Sequence, residues 1–303
     1  MITILDIKKR EQSLAYDLVE ENVKLNPEFL QIPADTIAGT DMRLTVRTDL
    51  PSVLFSNLNE GVLESDDKTI TRLFQTAFLD QLCTVDVRLL AAGGPAAAKV
   101  LTERQAGYVE AAIRTSCKQF WYGTQNDSKG FVGMIAQMIN DGEHVIDAGG
   151  TTAGEKSSIF MVARGRGKCE WLLGNARTLT FQDWMRQTIT RNLGNQSASM
   201  DAMTSWMHFN PGCRLGNRNA LLRIKNLTTQ VGNTANYDLL TQAYQQMTDD
   251  LGMVPDALFM TARSQRQLRD SVKTDLNPNP PLPTEWNNIP FYISSNIATG
   301  ETI

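Results

Sequence analysis

The chain has 303 residues, with 29 Lys and Arg against 33 Asp and Glu, two His and four Cys, for a formal net charge of −4. That balance argues against a protein that coats nucleic acid, because neutralising many phosphates takes a basic surface. No apolar run approaches the roughly 20 residues a membrane-spanning helix needs, and a chain this long buries enough surface to fold without disulfides. Residues 1–10 carry no apolar core of a signal peptide, so the chain reads as made in the cytosol, with Cys83, Cys117, Cys169 and Cys213 reduced and structural.

Residues 1–40 are polar and weakly patterned. Ile4, Ile7, Leu14, Leu18 and Val23 form a loose helical stripe, and Pro27, Pro33 and Gly39 punctuate the stretch after it. This fits an arm lying on another surface better than an independent domain. Residues 42–92 read as strands and turns. Met42 to Thr48 alternates as a half-exposed strand does, Val53 to Phe55 and Thr69 to Phe74 are further strand candidates, and Asn57 to Lys68 is rich in turn-forming residues. Phe78 to Leu90 is apolar and expected to be partly helical. A long hairpin with a polar tip is marginal alone in water, so it calls for a partner surface.

Gly93, Gly94 and Pro95 break the chain before the clearest helix. Leu101, Tyr108, Val109, Ala112, Ile113, Cys117, Phe120 and Trp121 supply its apolar positions, and Glu110, Arg114 and Lys118 stand on the opposite stripe. About six turns are predicted, stopped by Gly123. From 131 to 230 the pattern predicts mainly short strands. Ser157 to Arg164 and Cys169 to Leu173 are expected to pair around Gly165-Arg166-Gly167, and Ala220 to Ile224 is another strand. A second helix is predicted over Tyr237 to Leu251, capped by Asn236 and followed by Gly252. Asp256 to Met260 then reads as a strand, Ser264 to Val272 as a helix, Asn277 to Pro283 as an extended Pro-rich loop, and Ile289 to Ser294 as a last strand.

Chemistry-bearing patterns are sparse. His144 and His208 belong to no HExxH motif or close acidic cluster, and Asp141, Glu143 and Asp147 do not have the spacing of a calcium loop. There is no nucleophile elbow and no phosphate loop; Gly149 to Gly154 precedes a strand rather than a helix. Arg164 to Lys168 is the one basic cluster, read as a tight turn with solvated charges and no interleaved aromatics for base stacking. Trp121, Trp171, Trp184 and Trp206 are read as core or subunit contacts. No catalytic, cofactor-binding or metal-ligating residue is assigned, and no cofactor.

Several stretches then resemble one family in the order in which they occur. Asn26 to Pro33 followed by Ile37 to Thr40 looks like an arm entering an extended loop, and Leu50-Pro51 with Leu54 to Val62 looks like that loop's first strand. Phe120 to Thr124 with Lys129 to Gly133 looks like the end of a long helix and its turn, and Trp206 to Asn210 with Ala220 to Asn226 like later strands. Over most of the chain this resembles the major capsid proteins of tailed bacteriophages, the Hong Kong 97-type fold. The resemblance implies an α+β subunit with an N-terminal arm (1–40), an extended β-hairpin loop (41–92), a spine helix with the start of a peripheral domain (93–145), and the remaining peripheral and axial domains (146–303). It implies pentamers and hexamers closing an icosahedral shell around double-stranded DNA, enclosed rather than bound, in a virion assembled in the host cytoplasm.

By the same resemblance the arm and the loop lie across neighbours, with Phe55, Asn57, Asn59, Glu60, Asp67, Lys68, Leu14 and Leu18 as candidate contacts. The implied partners are a separate scaffolding protein, since no fused segment of about a hundred residues precedes the arm, and a portal protein, with no membrane; whether a cement protein decorates the shell is left open by the sequence. Ser56 stands where relatives often carry an Arg after the loop Phe, which puts a salt bridge there in doubt. Lys68 is the only Lys between 25 and 98 and so the only candidate for the covalent crosslink some members make; none is expected here. The alternatives are an encapsulin-type compartment, a cytosolic α/β enzyme with an unrecognised site, and a nucleic-acid binder using Arg164 to Lys168.

Overall fold

The structure, a computed structural model, describes residues 25–58, 61, 63–92, 96–139, 142–176, 179–193, 196–273, 277 and 279–301. The stripe expected over Ile4 to Val23 lies outside them. The described chain enters along its own body through α1 (Pro27–Gln31) and β1 (Ala34–Thr36). Pro27 suits the first helical turn, where no N–H is needed. Ile32 and Ile37 are buried, so residues 26–37 are held by their own subunit. β2 (Asp41–Asp49) and β3 (Lys68–Gln75) form the expected antiparallel hairpin. It runs from Asp41 opposite Gln75 to Asp49 opposite Lys68, with an irregularity between Arg47 and Asp49. Val53 to Phe55, expected to be a strand, has no regular structure. It has no strand partner among the described residues, and its three side chains are exposed.

The apolar stretch after the hairpin divides into β4 (Gln81–Asp86) and α2 (Val87–Ala92). The spine helix α3 (Ala96–Tyr122) is 27 residues long and begins five residues before Leu101. Ala96, Ala97 and Ala98 favour helix strongly but carry no apolar–polar contrast, so periodicity could not reveal them. Burial concentrates toward its C-terminal end, at Ala112, Cys117, Phe120 and Trp121. Gly123 stops it with φ 56. A Cβ there would collide with the backbone of Gly133, where the chain returns close against the helix end.

After α4 (Met134–Gln137) come β5 (Val145–Asp147), β6 (Ser157–Val162), β7 (Cys169–Leu173) and β8 (Thr180–Phe181). Next are β9 (Met185–Leu193), β10 (Gln196–His208), β11 (Pro211–Leu215) and β12 (Leu221–Leu227). Helix α5 (Tyr237–Gln245), β13 (Ala257–Met260), α6 (Ala262–Ser271), β14 (Glu285–Trp286) and β15 (Ile289–Ile293) complete the chain. Asn236 caps α5, accepting from the Leu239 N–H at 2.8 Å. The last turn of that predicted helix is a π-turn over Gln246–Asp250, after which Gly252 takes φ 64.

The largest sheet has the order β14-β15-β13-β6-β12-β5. β6 and β13 are buried on both faces, as strands central to a covered sheet must be. The hairpin expected between β6 and β7 does not form. β6 pairs with β12 and β13, whereas β7 lies in a three-stranded sheet, parallel to β1 and antiparallel to β11. Both strands are buried on both faces, and each finds its partners far away in sequence; the chain passes between them through Gly165 and Gly167, at φ 136 and 77. Nor is Arg164 solvated. It donates to Asp256 at 3.1 Å and to the Gln31 carbonyl at 3.0 Å, and lies over the Tyr292 ring.

The third sheet places β10 between β4 and β8, with β9 also paired to β10. β9 and β10 thus make a second long hairpin where only short strands were expected. One core joins the sheets to the spine helix. Trp121 stacks on Phe160 at 4.2 Å, and Phe120 meets Trp171 at 4.4 Å. Trp184 and Trp206 are less buried; Trp206 stacks over His208.

Candidate assembly surface

The hairpin β2–β3 is fixed at one end and free at the other. At its base Phe74 packs with Ile37 and Leu172, supported by Met42 and Leu44. Arg72 donates to the Gly216 carbonyl at 3.2 Å, and Thr76 N–H to the Thr40 carbonyl at 2.9 Å. At the far end the contacts are exposed: Thr45 with Thr71, Arg47 with Asp67 at 2.6 Å, and Lys68 with Asp49 at 3.3 Å. Ion pairs of this kind contribute about 0–1 kcal/mol each.

The segment past Asp49 is the least protected apolar stretch described. Val53 is 91% exposed, Leu58 95% and Leu63 85%, with Phe55 fully exposed between them. A monomer rarely leaves such side chains together in water unless another surface covers them. Among the candidate contacts, Phe55 and Asn57 lie in this segment, while Asp67 and Lys68 close the far end of the hairpin through their ion pairs. Leu14, Leu18, Asn59 and Glu60 lie outside the described residues. Val53, Leu54, Leu58 and Leu63 are exposed apolar side chains of the same segment that the sequence reading did not single out as candidates. Their signal was available: Leu50 to Leu58 carries apolar residues without strict alternation and without a charge.

The hairpin β9–β10 is covered on one strand only: β10 pairs with β4 and β8 and buries Ala202 and Thr204, whereas Met185 to Thr188 of β9 are exposed in succession. Arg186 and Asp201 bridge it, Nε to Oδ2 at 2.7 Å.

Three buried polar clusters hold the arm and the last described residues to the body. Arg214 bonds Glu170 at 2.7 Å and Asp35 at 3.0 Å, tying β1 to β11 and β7. Arg223 bonds Glu301 at 2.8 Å, and Glu301 accepts also from the Tyr122 and Ser158 hydroxyls, each at 2.6 Å. Glu28 is fully buried in α1 and accepts from the Trp121 indole at 2.8 Å, from Asn296 at 3.3 Å and from the Ser294 hydroxyl. All three of these partners are uncharged. Burial therefore pushes the Glu28 carboxyl above its ordinary value of 4.5, against the lowering effect of the Ser294 and Trp121 hydrogen bonds.

A carboxyl with a raised folded-state value favours the folded protein when protonated. Its contribution is fully present below about pH 4.5, the unfolded value, and is lost as pH rises through the folded value. Glu28→Gln should therefore gain stability relative to the parent as pH rises above about 4.5. Paired thermal melts from pH 4 to 8 check this; a constant offset between the two chains would show that Glu28 does not ionise at a penalty.

The four cysteines are free and buried, and burial raises the thiols of Cys117, Cys169 and Cys213, which suits packing rather than nucleophilic work. His144 bonds Asn219 at 3.1 Å and His208 bonds Asp80 at 3.0 Å. Among the described residues no group of three His, Cys, Asp or Glu side chains could hold a metal ion. Beside the hairpin base a groove of about 420 Å3 runs between residues 77–81 and the spine helix.

The profile of the family described as major capsid protein GP7 matches residues 21–280. Among solved structures, a chain of the bacteriophage Epsilon15 structure is similar over 100% of this chain and 97% of its own, with a TM-score of 0.69 at 15% identity. The bacteriophage JBD30 capsid is similar over 85% of this chain and 88% of its own, at 0.51 and 10%. An encapsulin complex from Synechococcus elongatus is similar over 74% and 96%, at 0.50 and 9%. At these identities the structural likenesses carry the fold. No curated protein matches the sequence.

Proposed function

Since the chain belongs to the major capsid protein GP7 family, we propose that it forms pentamers and hexamers that close around double-stranded DNA, with the loop between β2 and β3 as the clamp between neighbours. The protein is a bacteriophage shell protein with the Hong Kong 97-type fold. The observation that supports the clamp most directly is the exposure of Val53, Leu54, Phe55, Leu58 and Leu63 at the free end of an anchored hairpin. Closing a ring of copies would cover it, and repeated modest contacts would act together.

In this reading residues 1–40 serve as the arm and 41–92 as the extended loop. Residues 93–145 carry the spine and the start of the peripheral domain, and 146–303 the rest of the peripheral and axial domains. β4 pairs with β10, so the projecting part of the loop ends near Gln75. The subunit's work is geometric rather than chemical. A separate scaffolding protein and a portal protein are its proposed partners, with assembly in the host cytoplasm. The net charge of −4 suits a wall along which DNA slides during filling, because each phosphate contact would bind through counterion release and hold the duplex back.

Size exclusion and electron microscopy of the protein, expressed alone and with the adjacent phage genes, test the reading. Rings or closed polyhedra are expected, and empty particles should not retain duplex DNA at physiological salt. Persistent monomers in the presence of the scaffolding protein would overturn the shell, and tight duplex binding by empty particles would overturn the sliding wall.

A further inference from the structure

We propose that a second groove, at the root of β3 between that strand, α4 and the turn after β11, binds a small phosphate-type oxyanion between Arg72 and Arg218. The groove has a volume of about 280 Å3. Val132, Ala136 and Leu215 give it apolar walls, and Arg72 and Arg218 are the only charged residues in its lining. No carboxylate joins them there. The Gln137 amide is already committed. Its nitrogen donates to the Val132 and Cys213 carbonyls at 2.8 and 3.1 Å, and its oxygen accepts from the Leu215 N–H at 2.8 Å. The two guanidiniums are therefore the charged donors that the groove offers a ligand.

Both retain free N–H groups. Arg72 donates through Nη1 to the Gly216 carbonyl at 3.2 Å, which uses one of the donors on its guanidinium. Arg218 makes no ion pair or hydrogen bond among the described residues. Its Nε is sealed from water, whereas its Nη groups stay open. Burial and the nearby Arg218 together lower the Arg72 guanidinium from its ordinary value of 12.5. Two like charges sharing a partly desolvated groove destabilise each other, and an anion between them reverses that. The surroundings carry the same sign. The Gly216 N–H donates to the Lys168 carbonyl at 2.9 Å, and a Cβ at Gly216 would collide with the Gly167 backbone. The turn that carries Arg166 and Lys168 thus lies against the turn that carries Arg218. Neither Arg166 nor Lys168 has an ion pair among the described residues. Glu170, just beyond, is taken by Arg214 and by the Gly167 N–H. Within a chain of net charge −4, this corner holds a local positive potential.

Guanidinium chemistry selects the ligand. Each guanidinium meets an oxyanion through parallel N–H donors, and two of them call for more oxygens than one carboxylate has. A phosphate group brings at least three acceptor oxygens and about 1.5–2 negative charges. At about 280 Å3 the groove lies at the lower edge of small-ligand sites, which span about 300–1,000 Å3. That scale suits free phosphate or the phosphate end of a small metabolite, and not a duplex. The bound anion ties β3 to the turn after β11 and so stiffens the root on which the hairpin stands.

Titrating inorganic phosphate into the full chain at constant ionic strength, read by calorimetry and by thermal melting, tests this. Saturable binding is expected, with a melting temperature that rises with phosphate concentration. Arg218→Gln should weaken binding about tenfold or more. It should melt no lower than the parent in phosphate-free buffer, because Arg218 holds no bond in the subunit. Phosphate also stabilises folded proteins generally by exclusion from their surfaces, so the reading is the difference between parent and variant at equal phosphate. An equal rise in both chains overturns the inference. If Arg218→Gln melts lower than expected, Arg218→Lys, which keeps the charge and loses the fork, must still bind phosphate more weakly than the parent; unchanged binding overturns the inference. Acetate at the same ionic strength should give no shift, and acetate binding as tight as that of phosphate would make the groove a carboxylate site instead. Arg218-dependent binding of duplex DNA without binding of free phosphate would overturn the inference as well.

Discussion

Replacing residues 50–67 by a two-residue Asn-Gly turn should give a folded subunit that forms no closed shells. Asp49 and Lys68 are already opposite one another, so the strands are in register for a tight turn once the irregularity beside Arg47 is accommodated. None of the described residues in the removed stretch is buried. Shortening the connection from eighteen residues to two lowers its closure entropy by about 2 kcal/mol, more than the exposed Arg47–Asp67 pair contributes. The subunit should therefore melt no lower than the parent, while the apolar surface from Val53 to Leu63 is gone. Circular dichroism melts establish the fold, and electron microscopy with the scaffolding protein present establishes the assembly. Normal particles from this variant would remove the loop from the account of assembly.

The second large effect is within the subunit. Glu301→Leu should lower stability by about 3–5 kcal/mol, a fall in melting temperature of roughly 6–15 °C. The side chains of Arg223 and Glu301 are 3% and 1% exposed, and Glu301 also answers the hydroxyls of Tyr122 and Ser158. Removing the carboxylate leaves a guanidinium uncompensated in the interior, a far larger penalty than the pair's net worth. The double change Arg223→Met with Glu301→Leu should therefore recover most of the loss, because two apolar side chains of similar size replace a desolvated pair. A double-mutant cycle by thermal or denaturant melting measures this. A double variant as unstable as the single one would place the effect in Tyr122 and Ser158 instead.

Legibility in the sequence depended on the range of each signal. The ribbon β2–β3 announced itself by alternation from Met42 to Thr48, and the spine by its apolar face from Leu101 to Trp121. Gly123, Asn236 and Gly252 marked ends, and each acts there through backbone or cap geometry. These are local effects, decided within a few residues. The partners of β6 were not legible because Phe160 meets Arg223 and Phe259, both more than sixty residues away. The ribbon β9–β10 is hard to read because Gln187 and Arg191 interrupt Met185, Ile189 and Leu193 on one face of β9, which weakens the period of two. Glu28, Glu170, Arg214, Arg223 and Glu301 are charged residues that ordinarily read as solvated, and their burial depends on partners that tertiary structure alone brings near. For the candidate contacts, the loop was legible as a turn-rich tip containing Phe55 and Asn57. The apolar run beside them was read as a strand because its composition suits one; only the missing ladder partner in the subunit decides otherwise.

The one-sided anchoring of β2–β3 has a mechanical consequence. A ribbon of about 26 Å, clamped at Phe74 and Arg72 and unsupported beyond, is a lever. Tilting the body by ten degrees about the clamp carries the far end through about 4–5 Å, roughly one side chain's width. Neighbouring bodies in a curved wall meet at angles that differ from place to place, and the lever converts each angle into a displacement of Phe55. In the proposed clamp, a modest change of angle between neighbours would thus shift the tip by a side chain's width, so the contact it makes would have to accommodate that shift.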